Sequence, residues 1–94
     1  MNSEKLEKIK NGISRKFEEM GFFIKEDIEE LIDTYPEIAK RLENTKLKKI
    51  NFFYDEDENS VGFTLDDVQV EFFIKTGEDE KGPWYEAEAE IRYF

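Results

Sequence analysis

Residues 60–76 read SVGFTLDDVQVEFFIKT, and this stretch decides the fold. Apolar side chains occupy every second position on both sides of Asp66-Asp67, which is the pattern of two half-buried β-strands joined by a two-residue turn. With the two aspartates as the turn, Phe63 lies opposite Val70 and apolar side chains meet along one face. A slip of one residue would move every apolar side chain of one strand to the other face. The stretch therefore predicts an antiparallel hairpin with one buried face.

The same alternation occurs in one segment before this hairpin and one after it. The four predicted strands are Leu47–Tyr54, Ser60–Leu65, Val68–Thr76 and Trp84–Phe94. If residues 77–82 form a loop, the last two strands pair Ile74 with Tyr85, Phe72 with Ala87, and Val70 with Ala89. All of these pairs are apolar, as expected for one face of a four-stranded meander. The small side chains of Ala87 and Ala89 predict that a helix crosses the sheet most closely there.

The first part of the chain has a helical period instead. Its apolar side chains recur at spacings of three and four, at Leu6, Ile9, Ile13, Phe17 and Met20. Gly21 stands where a left-handed C-cap belongs, a second helix begins at about Lys25, and Pro36 ends it and starts a short third one. Two or three N-terminal helices packed on one face of a four-stranded antiparallel meander sheet make an α+β fold. We expect a single domain over residues 1–94, with a helical part at 1–46 and the antiparallel sheet at 47–94.

The composition limits the chemistry that is open to this protein. Its 94 residues include no Cys and no His, which excludes disulfide scaffolds, thiol or imidazole catalysis and zinc sites built from those ligands. The sequence Asp55-x-Asp57-x-Asn59 has the spacing that begins a calcium loop, but Ser60 stands where that loop needs Gly. We therefore expect a protein that is not an enzyme and needs no cofactor or metal.

The net charge of −10 is confined to the second half of the chain. Residues 1–50 carry 11 basic and 11 acidic side chains, whereas residues 51–94 carry 3 basic and 13 acidic ones. Such a surface is repelled by anionic lipid and by nucleic acid, so neither a membrane nor direct nucleic-acid binding is expected. The charged N-terminus is unlike a signal peptide, and no apolar run reaches the roughly 18 residues of a membrane span. These features favour a cytoplasmic location.

The outward side chains of the predicted sheet form the candidate site. They combine carboxylates with exposed aromatic rings, and the residues predicted to bind a partner are Glu71, Phe73, Trp84, Glu86, Glu88 and Glu90. In the predicted register Glu71 lies opposite Glu88, an arrangement that destabilises the sheet. Carboxylates with interleaved aromatic rings suit a basic partner with apolar contact points. We predict a small acidic binding protein that occupies a basic surface of a partner protein, as a nucleic-acid mimic of the anti-defence or immunity type would.

Three other interpretations stay open. The charges can simply protect a solvated sheet face against edge pairing. The chain can be a homo-oligomeric assembly subunit, joined as a dimer through an edge strand that ends at Arg92-Tyr93-Phe94. The basic stretch at Lys40, Arg41, Lys46, Lys48 and Lys49 can belong to a DNA-reading winged helix, although the acidic hairpins favour lysines that offset nearby carboxylates.

Overall fold

The computed structural model describes residues 3–94, with the side chains of residues 4–94. Three helices come first: α1 (Ser3–Glu19), α2 (Lys25–Thr34) and α3 (Pro36–Glu43). A 3₁₀ turn (Leu47–Lys49) leads into the strands β1 (Asn51–Asp55), β2 (Ser60–Leu65), β3 (Val68–Asp79) and β4 (Gly82–Tyr93). The strands form one open antiparallel sheet in the order β1-β2-β3-β4. The predicted α+β class is confirmed.

The ends of the helices follow the signals in the sequence. Gly21 adopts a φ of 94°, and the amides of Gly21 and Phe22 donate to the carbonyls of Glu18 and Phe17 at 3.0 and 2.9 Å. These two bonds are those of a Schellman motif, which needs the left-handed conformation that Gly adopts without strain. Pro36 lies in the first turn of α3, where its missing N–H is not needed. Both predicted boundaries are confirmed.

The core lies between the helices and one face of the sheet. The Phe17 ring of α1 meets the rings of Phe52 and Phe72 edge-on, at centroid distances of 6.1 and 6.0 Å. The fully buried apolar side chains come from the helices and from the two central strands: Ile13, Phe17, Ile28, Ile38, Leu42, Val61, Phe63, Val68, Val70 and Phe72. The helices therefore cover β2 and β3, and the opposite face of the sheet is open.

The first predicted strand begins too early. Residues 47–49 form a 3₁₀ turn, in which the amides of Lys49 and Ile50 donate to the carbonyls of Lys46 and Leu47. The Leu47 side chain packs against α1 at Gly12, where a Cβ atom would lie 3.0 Å from both of its methyl groups. The apolar residue that suggested a strand is thus used for packing on a helix, and β1 begins only at Asn51.

The register of the last strand pair differs from the prediction by two residues. The predicted pairings of β2 with its neighbours are confirmed, but Ile74 faces Ala87 and Phe72 faces Ala89. The prediction of a loop over residues 77–82 is wrong because only Glu80 and Lys81 form the turn. The Asp79 carboxylate caps this turn by accepting the Lys81 amide at 2.9 Å. A shift of two residues leaves every side chain on its predicted face.

The β3–β4 hairpin extends beyond the rest of the sheet. Because β2 begins at Ser60, opposite Phe73, it does not reach the rest of the hairpin. Residues 75 to 86 therefore continue as a two-stranded ribbon, which we call the arm. The amide and carbonyl of Ile74 still bond to Asn59, through the Asn59 backbone and side chain, and so mark the base of the arm. The molecule measures 43 × 26 × 22 Å.

The prediction that a helix crosses closest at Ala87 and Ala89 is wrong. No residue of β4 is buried, Ala87 is half-buried and Ala89 is exposed. The contacts between the helices and β4 lie elsewhere. Tyr85 donates to Asp27 of α2 at 2.9 Å and Tyr93 donates to Glu37 of α3 at 3.0 Å, while Arg41 of α3 lies 5.5 Å from the centre of the Tyr93 ring. The small side chains lie at an uncovered stretch between these two tyrosines.

Candidate functional site

The six residues predicted to bind a partner all lie on the open face of the sheet. Phe72 contacts the helical core, so its neighbours Glu71 and Phe73 point to the other side. The pairing places Glu71 opposite Glu90, Phe73 opposite Glu88, and Lys75 opposite Glu86. The predicted Glu71–Glu88 opposition is therefore wrong, and Glu90 occupies that place because of the shifted register. The carboxylate repulsion across the strands remains.

Glu71 has a structural partner within the sheet. The hydroxyl of the fully buried Ser60 donates to its Oε2 atom at 2.6 Å, and Glu71 itself is half-buried. A hydrogen bond from a buried hydroxyl to a carboxylate is of the strong, charge-assisted kind. Glu71 therefore presents less of its carboxylate to a partner than the glutamates of β4 do.

The β4 glutamates are accessible and only loosely paired. The Lys75 ammonium lies 3.8 Å from Glu88 Oε2, and an Arg92 nitrogen lies 3.9 Å from Glu90 Oε1. All four of these side chains are about two-thirds or more exposed, so water and salt screen both pairs. A partner with stronger cationic contacts can replace these ion pairs at little cost.

A hollow of about 310 Å³ opens around Phe73 on this face. Its charged lining consists of three carboxylates and one ammonium group, from Glu58, Glu88, Glu90 and Lys75. The half-buried Phe73 ring lines it together with Ile74 and Ala89. Carboxylates beside an aromatic ring favour an ammonium or guanidinium group, which gains both ion pairing and attraction to the ring. Phe73, Glu88 and Glu90 are thus brought together, and Glu58 of the β1–β2 turn joins them.

Trp84 lies farther along the arm and packs on its own hairpin. It pairs with Gly77, where a Cβ atom would lie only 2.3 Å from Cζ2 of the indole ring. Trp84 lies four positions before Glu88, which is about 13 Å along a strand. The structure therefore does not bring Trp84 together with Phe73, although 44% of it is exposed.

A second concave region was missed by the sequence reasoning. A cleft of about 680 Å³ lies between the α1–α2 connector, the β1–β2 hairpin and the base of the arm. Three exposed aromatic side chains line it: Phe23, Tyr54 and Tyr85. Phe23 is the most exposed of the three, at 69%. No periodicity constrains Phe22-Phe23-Ile24 between two helices, so the sequence carries no signal for which ring is buried.

The Asp55 carboxylate is used within the β1–β2 turn itself. Asp55 Oδ1 accepts the amides of Asp57 and Glu58 at 2.9 and 3.3 Å, as in an Asx turn. Across residues 3–94, no group of three or more acidic side chains has the geometry to hold a metal ion.

At the opposite end of the molecule, a paired arginine and several lysines lie beside the β2–β3 turn. The Arg41 guanidinium donates two hydrogen bonds to the Asp67 carboxylate, at 2.8 and 3.0 Å, and these hold the pKa of Asp67 below its usual value. Lys46, Lys48 and Lys49 line a hollow together with Asp66. The Arg41–Asp67 pair agrees with the interpretation that these cations offset nearby carboxylates.

We compared the chain with family models, curated proteins and solved structures. No family model, curated protein or solved structure matches it. In the part of the chain that the structure describes, no helix combines the length and the apolar character needed to cross a membrane.

Proposed function

We propose that this chain is a non-enzymatic binding protein that occupies a basic surface of a partner protein. The observation that carries the proposal is the Phe73 hollow, in which three carboxylates surround an aromatic ring on an uncovered sheet face. The proposed contact residues are Phe73, Glu86, Glu88 and Glu90, with Glu58 added from the structure. Glu71 and Trp84 are not among these contact residues, because Glu71 bonds to Ser60 and Trp84 packs on Gly77.

The charge distribution suits a basic partner in two ways. Complementary charge accelerates the encounter, and the exposed glutamates present their carboxylates in a row along β4. A partner that binds nucleic acid contacts the phosphates with Lys and Arg side chains. The same side chains could contact the β4 carboxylates. An inhibitor that acts as a nucleic-acid mimic is therefore the form of this function that we favour.

The test compares two charge reversals of equal size. The variant Glu88→Lys/Glu90→Lys changes the hollow, whereas Glu18→Lys/Asp33→Lys changes two exposed side chains near the C-terminal ends of α1 and α2. Lysine is favourable at the end of a helix, so the control should fold. The probe is a set of fluorescent twelve-residue peptides with basic, neutral or acidic sequences, titrated at low and at moderate salt.

We expect the parent protein and the control variant to bind the basic peptides, with affinity that falls as salt rises. The Glu88→Lys/Glu90→Lys variant should bind at least tenfold more weakly, which corresponds to about 1.4 kcal/mol. Phe73→Ala should weaken binding while leaving its salt dependence unchanged, because it removes no charge. If both charge variants lose affinity equally, binding follows net charge alone and the proposed face is wrong.

A further inference from the structure

The long edge strand β4 has free hydrogen-bonding groups along one side. The amide of Phe94 donates to the carbonyl of Asp67, and hydrogen-bonded pairs recur at every second residue of an antiparallel ladder. The backbone groups of Glu86, Glu88 and Glu90 therefore point to β3. Those of the intervening residues point to the free edge, and these residues are Tyr85, Ala87, Ala89, Ile91 and Tyr93.

Pro83 agrees with this assignment. It occupies a position whose N–H would point to the free edge, so the ring removes no bond from the β3–β4 ladder. Strand β4 spans 12 residues, whereas the other edge strand, β1, spans 5. The free edge of β4 after Pro83 is therefore longer than the free edge of β1.

The two sides of this edge differ in chemistry. On the open face Glu86, Glu88 and Glu90 recur at every second residue, and all three are exposed. On the helix side, Ala87 and Ala89 leave an uncovered stretch between the two tyrosines that bond to α2 and α3. A strand added at this edge would place alternate side chains beside the glutamates and the others beside the alanines.

We infer that the β4 edge binds an extended segment of the partner in which basic residues alternate with small apolar ones. This inference rests on the proposed function and specifies how the partner is held. Backbone hydrogen bonds to Ala87, Ala89 and Ile91 supply affinity, while the glutamates select lysine or arginine at alternate positions. The apolar residues of the segment lie against Ala87 and Ala89, where large side chains on β4 would leave no space.

A second copy of this chain, paired so that the Ala87–Ala89 stretch faces itself, fits the edge less well. If two β4 strands paired antiparallel about Ala89, Glu88 of each copy would face Glu90 of the other. Like charges directly opposite each other across strands are destabilising. Charge complementarity therefore favours a basic segment over self-pairing.

The experiment uses three eight-residue peptides of alternating Lys and Val. One is unmodified, one is N-methylated at its valine amides and one at its lysine amides. In an antiparallel alignment, the slightly more stable of the two, a valine opposite Ala87 or Ala89 forms a hydrogen-bonded pair with it. The valine amides then point toward β4 and the lysine amides point away. We expect the unmodified and the lysine-methylated peptides to bind alike and the valine-methylated peptide to bind at least tenfold more weakly. Equal binding of all three peptides overturns the inference.

A protein variant and an exchange measurement complete the test. In Ala89→Pro the proline removes an edge N–H without touching the β3–β4 ladder, so the fold should persist and peptide binding should be lost. In the parent protein the amides of Ala87, Ala89 and Ile91 should exchange quickly, and should become protected when the unmodified peptide is added. The amides of Glu88 and Glu90 should be protected from the start.

The outcomes separate this inference from the proposed function. If Glu88→Lys/Glu90→Lys abolishes binding of basic peptides but valine methylation does not, the acidic face binds the partner and the edge does not. If no basic peptide binds the parent protein, both proposals fail. If the edge amides become protected as protein concentration rises without peptide, a second copy occupies the edge and the inference is overturned.

Discussion

Two glycines on the open face of the sheet each lie beneath an aromatic ring from the neighbouring strand. At Gly62 a Cβ atom would lie 2.2 Å from the carbonyl oxygen of Val70 and 2.6 Å from the Phe53 ring. The backbone oxygen cannot move aside as a flexible side chain can. At Gly77, in contrast, all three nearest atoms belong to the Trp84 ring. The same substitution should therefore have different effects at the two positions.

We predict that Gly62→Ala lowers the free energy of unfolding by about 2 to 3 kcal/mol, as other overpacking substitutions do. Gly77→Ala should cost less than about 1 kcal/mol, because the indole ring on the arm can move toward solvent. Urea unfolding followed by circular dichroism measures both values. Trp84 is the single tryptophan of the chain, so its fluorescence should change in Gly77→Ala only. Equal destabilisation by both substitutions would contradict the prediction.

Tyr85 and Tyr93 make the fold sensitive to alkaline pH. The hydrogen bond to Asp27, burial and the nearby carboxylates raise the pKa of Tyr85 above its ordinary value of 10.0. Burial and the hydrogen bond to Glu37 raise the pKa of Tyr93. A group whose pKa is raised by folding stabilises the folded state fully below its unfolded pKa. This contribution is lost as pH rises through the folded pKa.

Tyr85→Phe/Tyr93→Phe should therefore be less stable than the parent at neutral pH, and the difference should shrink above about pH 10. Denaturant unfolding of both proteins at a series of pH values from about 8 to 12 gives this difference directly. Tyr35→Phe is the matched control, since it removes the hydroxyl of another tyrosine on the surface. A constant difference between parent and double variant would rule out the two tyrosines as the cause.

At the level of the strands, the sequence predicts faces better than registers. Alternation assigns every side chain of β3 and β4 to its observed face, but it cannot distinguish registers that differ by two residues. Between β2 and β3 the two aspartates leave room for one turn only, whereas GEDEKG at residues 77–82 allows a six-residue loop or a tight turn. The Asp79 cap and the positive φ of Gly82 favour the tight turn.

The candidate site, too, could be predicted from the sequence only in part. The outward position of Phe73, Glu88 and Glu90 follows from the period of the strand alone. Glu58 could not be assigned to the hollow from the sequence, because its place depends on how the β1–β2 turn folds over β3. The edge position of β4 and its free backbone groups likewise depend on the observed strand order.

The arm should be the least stable strand element of the protein. A two-stranded ribbon is only marginally stable in water, and the helices contact the arm through the Tyr85–Asp27 hydrogen bond. We predict that the hydrogen-bonded amides of residues 77–84 exchange at least tenfold faster than those of the strand pair between Val61 and Phe72. Hydrogen exchange followed by NMR tests this expectation, and Tyr85→Phe should widen the gap. Equal protection of arm and central strands would contradict it.

Over the whole molecule, the longest acidic runs and the groups of lysines lie at opposite ends of the sheet. The β1–β2 turn and the tip of the arm lie at one end of the sheet and carry acidic runs at residues 55–58 and 78–80. The lysines of the N-terminal turn of α1 and of the 3₁₀ turn lie at the other end, where Lys5, Lys8 and Lys46 line one hollow. A basic partner is therefore attracted to the end that carries the arm, close to the Phe73 hollow.

This separation also leaves acidic side chains crowded together, most directly where Glu71 faces Glu90 across the strands. We predict that raising NaCl from about 0.02 M to about 0.5 M stabilises the protein, because salt screens this repulsion. Glu90→Gln should raise the free energy of unfolding at low salt by about 0.5 kcal/mol and should weaken the response to salt. Glu18→Gln makes the same change of charge on α1, away from the sheet, and should do neither. Thermal unfolding of the three proteins at both salt concentrations measures these effects. A parent protein that loses stability in salt would show that its ion pairs outweigh the repulsion between its carboxylates.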